Sequence, residues 1–281
     1  MTRRRRRQRR LRVGRLLQLG LVLGVGILAA HYVVAGGVAP RGAPPSVVAR
    51  TYSRPPAVTA PSRSVSSAGR LPARAMIQVP AQSQYPQLPN GCEVTSLSML
   101  LTAVGHPVSK LVLAREEPTD PTPLVLTVYH RPDGQVVHVV KFWGNPNRGF
   151  VGKVNVKNYG YGIYHGPLTE LLSRIMPGRA VDLTGQPFSA VLAQVARGIP
   201  VVAWTTLDFR PTSDWVTWQS PEGPVHATPL EHAVLVVGYD HDHIFVNNPA
   251  NGRQAQAVDR GAFIRSWKQL GSQAVTVRAA G

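Results

Sequence analysis

The chain has 281 residues, a single Cys, and 31 Lys+Arg against 14 Asp+Glu, for a formal net charge of +17. The charge is uneven: residues 1 to 91 carry 15 Arg and no acid, which leaves the remainder at only +2. A basic nucleic-acid-binding globule is therefore excluded as the reading of the net charge, and one Cys excludes an intramolecular disulfide framework or a multi-thiolate zinc site.

Nine arginines lie between Arg3 and Arg15, and LLQLGLVLGVGILAAHYVVA, residues 16 to 35, follows without a charged residue. About 20 apolar residues in a helix span a hydrocarbon core of ~30 Å. Arginines flanking such a span stay cytoplasmic, so residues beyond 36 are expected outside the membrane. A nucleic-acid arm is the other reading of the run, but the apolar segment accounts for the charge without it. Val33-Val34-Ala35 before Gly36 has the small-residue character of a cleavage site, so both an uncleaved signal anchor and a cleaved signal peptide are open. A twin-arginine signal does not fit, because more arginines stand where its hydrophobic residues should be. Residues 36 to 75, rich in Pro, Ala, Ser and Arg, have no hydrophobic periodicity. They read as a disordered, semi-extended linker.

Residues 76 to 281 read as one domain. After Cys92, apolar Val94, Leu97, Leu101 and Val104 recur at helical steps until Gly105. Further helices are expected over Pro167 to Met176, Ser189 to Arg197 and Ala262 to Leu270, each followed by a glycine at 178, 198 or 271. Strands fit Pro200 to Thr206, Ala233 to Tyr239, Ile244 to Asn247 and Ala274 to Arg278. Helices early and strands late predict an α+β fold with an antiparallel sheet.

The lone Cys lies in PNGCEVTSLSMLL, where a Pro89-Asn90-Gly91 turn precedes the helix. The positive end of the macrodipole and free backbone N–H groups there favour a thiolate, which makes Cys92 a candidate nucleophile. The stretch EHAVLVVGYDHDHIFVNNPA reads as a hairpin turning near His241. That centre pairs 234 with 248 and 232 with 250, placing His232 and Asn248 on one face as diagonal neighbours. An imidazole base and the side chain that orients it can thus come from one hairpin. The cluster Asp240, His241, Asp242, His243 reads as a polar turn rather than a cation site. Leu207 to Pro229 reads as a long irregular stretch whose Trp215, Trp218 and His226 either wall a cleft or pack on the core, and Trp204 reads as core.

SQYPQLPNGCEVTSLSMLL, GYGIYHGPLTELL, LTGQPFSAVLAQVARGIPVVAWTT and EHAVLVVGYDHDHIFVNNP resemble, in order, blocks of the C39-like peptidase family, a branch of the papain-like cysteine peptidase fold. The resemblance implies a helix bearing the Cys packed on an antiparallel sheet bearing the His. It implies Cys92 as nucleophile, His232 as general base and acid, and Asn248 as imidazole orienter. A glutamine upstream of the Cys is implied as an oxyanion-hole donor; the spacing points to Gln84, with Gln82 and Gln87 as alternatives. Position 248 departs from the family, where an Asp before the Pro is common. Expected activity is cleavage of peptide or related cell-envelope amide bonds, without metal or other cofactor, without nucleic acid, and with the membrane contacted through residues 16 to 35. A catalytically weak envelope-binding module and an acyltransferase using the same thiol are the other readings. The sequence carries no signal for an oligomeric state.

Overall fold

The computed structural model describes residues 71–279. The Arg-rich run, the apolar segment 16 to 35 and nearly all of the expected linker lie outside the described residues. Among the described residues, no helix is long and apolar enough to cross a membrane.

A short strand β1 (Ala75–Met76) leads to helix α1 (Cys92–Ala103), whose first ten residues are all buried. No side chain caps its start, but the Thr95 hydroxyl bonds the Gly91 carbonyl at 2.6 Å and ties the first turn to the preceding loop. Gly105 at φ +75° ends the run, a backbone region that side-chain-bearing residues avoid. Helix α2 (Lys110–Glu116) is capped by the Ser109 hydroxyl, which accepts from Leu111 and Val112 N–H. Strands β2 (Thr119–Asp120), β3 (Val125–His130), β4 (Val136–Phe142) and β5 (Phe150–Val151) precede helix α3 (His165–Ile175). Strand β6 (Ala180–Asp182), helix α4 (Phe188–Ala196), and strands β7 (Val201–Thr206), β8 (Val216–Ser220) and β9 (Gly223–Ala227) come next. The chain closes with β10 (Glu231–Tyr239), β11 (His243–Asn248), β12 (Arg253–Asp259), helix α5 (Arg260–Gln269) and β13 (Ala274–Val277).

The main sheet runs β12-β11-β10-β7-β13-β6, with β1 pairing the far end of β10, and every pairing is antiparallel. Strand alternation divides its side chains between two cores. Val202, Trp204, Ala233, Leu235 and Val237 meet α1 and α3 on one face; Val201, Ala203, Val234 and Val236 meet α4 and α5 on the other. With both faces covered, β7 and β10 are buried at every position, hence their nearly unbroken apolar runs. The mixed α+β expectation holds, with helix and strand ends shifted by a few residues.

Two features depart from it. Leu207 to Pro229, expected to be irregular, contains the β8–β9 hairpin. Only alternate residues there are buried, with Trp218 and Val225 packing near Trp143 in a small third core. A second four-stranded sheet, β3-β4-β8-β9, results, so strands are not confined to the C-terminal part.

Candidate active site

Cys92 stands at the first position of α1, and the helix lies against β10, where the Ser96 hydroxyl reaches the Ala233 carbonyl at 3.3 Å. The thiol is buried, and the backbone N–H of Ala233, the amide directly after His232, is near enough to favour its ionised form. The β10–β11 register pairs Leu235 with Asn247 and Val236 with Val246, as expected for a turn at His241. A bulge after Val236 shifts the pairing by one only at the turn end. There Asp240 Oδ1 accepts from the N–H groups of Asp242 (2.9 Å) and His243 (2.7 Å), a polar turn.

His232 and Asn248 meet as diagonal neighbours: His232 Nε2 lies 2.9 Å from Asn248 Oδ1. The same Oδ1 accepts Ala250 N–H at 3.0 Å, while Asn248 Nδ2 donates to Gln256 Oε1 at 3.1 Å. Those two bonds fix the amide's orientation, so Nε2 carries the imidazole proton and Nδ1 keeps its lone pair.

Gln84 is buried, whereas Gln87 is exposed. Its backbone N–H donates to Pro249 O at 2.9 Å and its Nε2 to Pro89 O at 2.8 Å. Gln84 thus bridges the end of the His–Asn hairpin and the loop entering α1, with one amide proton uncommitted. Its Oε1 is buried without a partner. Gln82 is spent on the side of α1, bonding Ser98 Oγ at 3.2 Å.

Charge at the thiol departs from expectation. Burial pushes the Cys92 thiol well up, and Glu93 and then Glu231 push it further. The Ala233 amide acts the other way and is outweighed. Burial also drives His232 down to about 4, against the hydrogen bond to Asn248. The helix start alone predicts a thiolate; in the fold, burial favours a neutral thiol and a neutral imidazole.

The two glutamates are site residues that sequence reasoning missed. Cys92 Sγ donates to Glu93 Oε2 at 3.2 Å, and Glu93 Oε1 accepts Ile163 N–H at 2.9 Å. Ile163 is itself held by Trp204 Nε1, which donates to its carbonyl at 3.1 Å. One donor atom from each of Cys92, Glu93 and Glu231 lies within 4.8 Å of the other two, close enough to surround one cation, although the resemblance implies no metal. The only sequence signal was adjacency, in Cys92-Glu93 and Glu231-His232.

A separate cavity of about 480 Å³ is lined by residues including Tyr164, His165, Trp215, His226 and Thr228, but by neither Cys92 nor His232. Trp215 stacks on His226 with ring centroids 4.8 Å apart. The two readings of the tryptophans therefore divide: Trp215 walls a cavity, while Trp218 packs near Trp143 and donates to Gly144 O at 2.8 Å.

The family model for the Peptidase_C39 like family matches residues 76–275. The uncharacterized protein YvpB of Bacillus subtilis (strain 168) is 38% identical over 197 residues, covering 70% of this chain and 72% of YvpB. A crystal structure of a candidate C39-like peptidase from Bacillus anthracis superposes with a TM-score of 0.64 at 36% identity, over 74% of this chain and 98% of that one. Xylellain, a cysteine protease from Xylella fastidiosa, gives a TM-score of 0.38 at 14% identity over 75% of this chain and 88% of its own, too distant to argue from. With the match spanning the sheet, α1 and the His–Asn hairpin, the chain belongs to the Peptidase_C39 like family.

Proposed function

We propose that the protein is a papain-like cysteine peptidase that cleaves peptide or related amide bonds outside the cytoplasm through Cys92, His232 and Asn248, with Gln84 as oxyanion donor. The observation that carries the reading is the 2.9 Å bond from His232 Nε2 to an Asn248 oxygen held in place by a second donor. It leaves Nδ1 as a free base on the residue whose following amide favours the thiolate.

Because thiol and imidazole are both neutral at rest, proton transfer accompanies attack rather than preceding it. His232 Nδ1 takes the Sγ proton as sulfur bonds to the substrate carbonyl carbon, and the carbonyl π pair moves onto oxygen. The uncommitted Gln84 Nε2 proton and the Cys92 backbone N–H, which has no partner within the helix, supply donors for that oxyanion. Collapse expels the amine, which takes the proton from His232 and leaves a thioester. Water, deprotonated by His232, then releases the acid and restores the thiol. Asn248 keeps the ring in the tautomer that both half-reactions need.

A neutral resting pair also fits a weakly reactive envelope-binding module of the same fold. Hydrolysis of a peptide library by the protein and by Cys92→Ala separates the two. Turnover by the parent alone supports the peptidase; turnover retained in Cys92→Ala refutes it, and none in either leaves the binding module. The extracytoplasmic placement, membrane-anchored or secreted after cleavage, is supported by the arginine run before residues 16 to 35. A reporter active only outside the cytoplasm, fused after residue 75, should be active, and an inactive fusion would overturn the placement.

A further inference from the structure

Glu93 follows Cys92 and Glu231 precedes His232 in sequence, and the two carboxyl groups meet in space beside the thiol. Both are buried, and among the described residues neither forms an ion pair with Lys, Arg or His. Two buried carboxylates this close, without a cation, do not both stay ionised. The pair therefore holds at least one proton.

The hydrogen bonds indicate where that proton acts. Glu93 Oε1 is occupied as the acceptor of Ile163 N–H at 2.9 Å, and Oε2 is the oxygen 3.2 Å from Sγ. Glu231 Oε1 is buried with no partner, a costly state for an ionised carboxylate and a tolerable one for a group that shares a proton. The backbone makes room for the pair at Gly162, where a Cβ would stand 2.5 Å from Glu93 Oε1 and 3.1 Å from Glu231 Oε2.

We propose that Glu93, kept protonated by its burial, is a further catalytic residue whose Oε2–H donates to Cys92 Sγ as the thiolate forms. The inference rests on the peptidase reading of the same site. The thiol proton passes to His232 Nδ1, Glu93 keeps its own, and no bond to Glu93 breaks. The carboxylic acid supplies locally the anion stabilisation that burial removes from this helix-start thiol. Once Glu93 ionises, its carboxylate opposes the thiolate from the same distance, so the site fails at high pH.

Several titratable groups face Glu93 from the elements packed around it. Cys92 is on its own helix, Glu231 on β10, Glu117 follows α2, and Tyr161 and Tyr164 precede α3. None of them can become positive. Burial holds the Glu93 carboxyl at about 7, inside the range where such a limb would be seen.

The test measures kcat/KM and the rate of Cys92 alkylation by iodoacetamide against pH, for the whole protein and for Glu93→Gln and Glu93→Ala. Gln offers a neutral N–H donor that does not ionise. The parent should lose kcat/KM above roughly pH 7, Glu93→Gln should lack that limb whatever its plateau rate, and Glu93→Ala should fall ~10-fold or more throughout, as for loss of a charge-assisted hydrogen bond. An alkaline limb unchanged in Glu93→Gln overturns the proposal. If circular dichroism shows that Glu93→Gln does not fold, Glu93→Asp replaces it. A carboxyl shortened by one methylene withdraws from Sγ and should lower kcat/KM by the same ~10-fold, and a parent-like rate overturns the proposal again. Hydrolysis that needs Cys92 but shows no such limb sinks this role and leaves the peptidase standing. An alkylation limb that responds to Glu93→Gln without any hydrolysis sinks the peptidase reading and leaves the thiol–acid pairing.

Discussion

Replacing Asn248 by Asp puts a carboxylate on the one imidazole nitrogen that Asn248 now holds at 2.9 Å. The change is close to isosteric. Both acceptor roles survive, toward His232 Nε2 and Ala250 N–H, and only the donation to Gln256 Oε1 is lost. Gln256 is half-buried and can turn its amide to donate instead. A unit charge pair at that separation is worth about 6 kcal/mol at an effective dielectric near 20, before the new carboxylate's own desolvation is subtracted. Even a third of that, ~2 kcal/mol, favours imidazolium by about 30-fold. His232, held near 4 in the parent, would then keep its proton into the mildly acidic range, and the thiolate–imidazolium pair would be more populated there before substrate arrives. The assay is the rate of Cys92 alkylation between pH 5 and 8. Asn248→Asp should label at least ~10-fold faster than the parent near pH 6. A profile that coincides with the parent's would mean that His232 does not exchange a proton with Cys92, and the proposed mechanism would fall with it.

Acid stability and the oxyanion donor give two further expectations. His232 titrates near 4 when folded and near 6.5 when unfolded, so between these values the unfolded chain binds more protons and stability falls as pH is lowered, by about 3 kcal/mol in all. Glu93, raised to about 7, has the opposite sign: it loses stability as pH rises from 4.5 toward 7. Urea melts of the parent and His232→Gln at pH 4.5 and 7 isolate the histidine's share; an acid slope unaltered in the variant refutes its buried neutral state. Gln84→Ala should lower kcat/KM by roughly 10²- to 10³-fold, as for loss of one oxyanion donor. It should leave alkylation of Cys92 unaltered, and the exposed Gln87 should tolerate the same change; a loss at Gln87 instead would move the donor role there.

How much of this was legible in the chain depends on how local each signal is. The unbroken apolar runs of β7 and β10 announce strands, and the spacing after Cys92 announces α1, because burial on a helical stripe or on both strand faces writes itself into neighbouring residues. The register that brings His232 to Asn248 matches a turn centred on His241, but it is set by the bulge after Val236, which lies between the turn and that pair and offsets Gly238–Phe245 and Tyr239–Ile244 by one. The β8–β9 hairpin was not legible, because each strand buries only alternate residues and Trp218 and Val225 gain their apolar surroundings from Trp143, distant in sequence. Protonation at the site was misread for the same physical reason. A helix start is a local argument for a thiolate, but β10 and the segment around Ile163 cover the thiol and place Glu231 against Glu93.

The departure at position 248 acquires a physical sense from that cluster. With two carboxyl groups already beside the thiol, an Asp on the far side of His232 would add a third buried acid to a site without any Lys or Arg partner among the described residues. Asn orients the imidazole through the same oxygen without adding a charge, so nothing offsets the burial that keeps His232 neutral beyond that one hydrogen bond. The anion must then be stabilised at the sulfur itself, where Glu93 Oε2 stands at 3.2 Å. Asn248 and the carboxyl pair are therefore two parts of one arrangement. The double variant Asn248→Asp with Glu93→Gln should reveal this as non-additive: with the ion pair supplied from His232, neutralising Glu93 should alter the alkylation profile far less than it does alone. Additive effects would mean that the two groups act on the thiol independently.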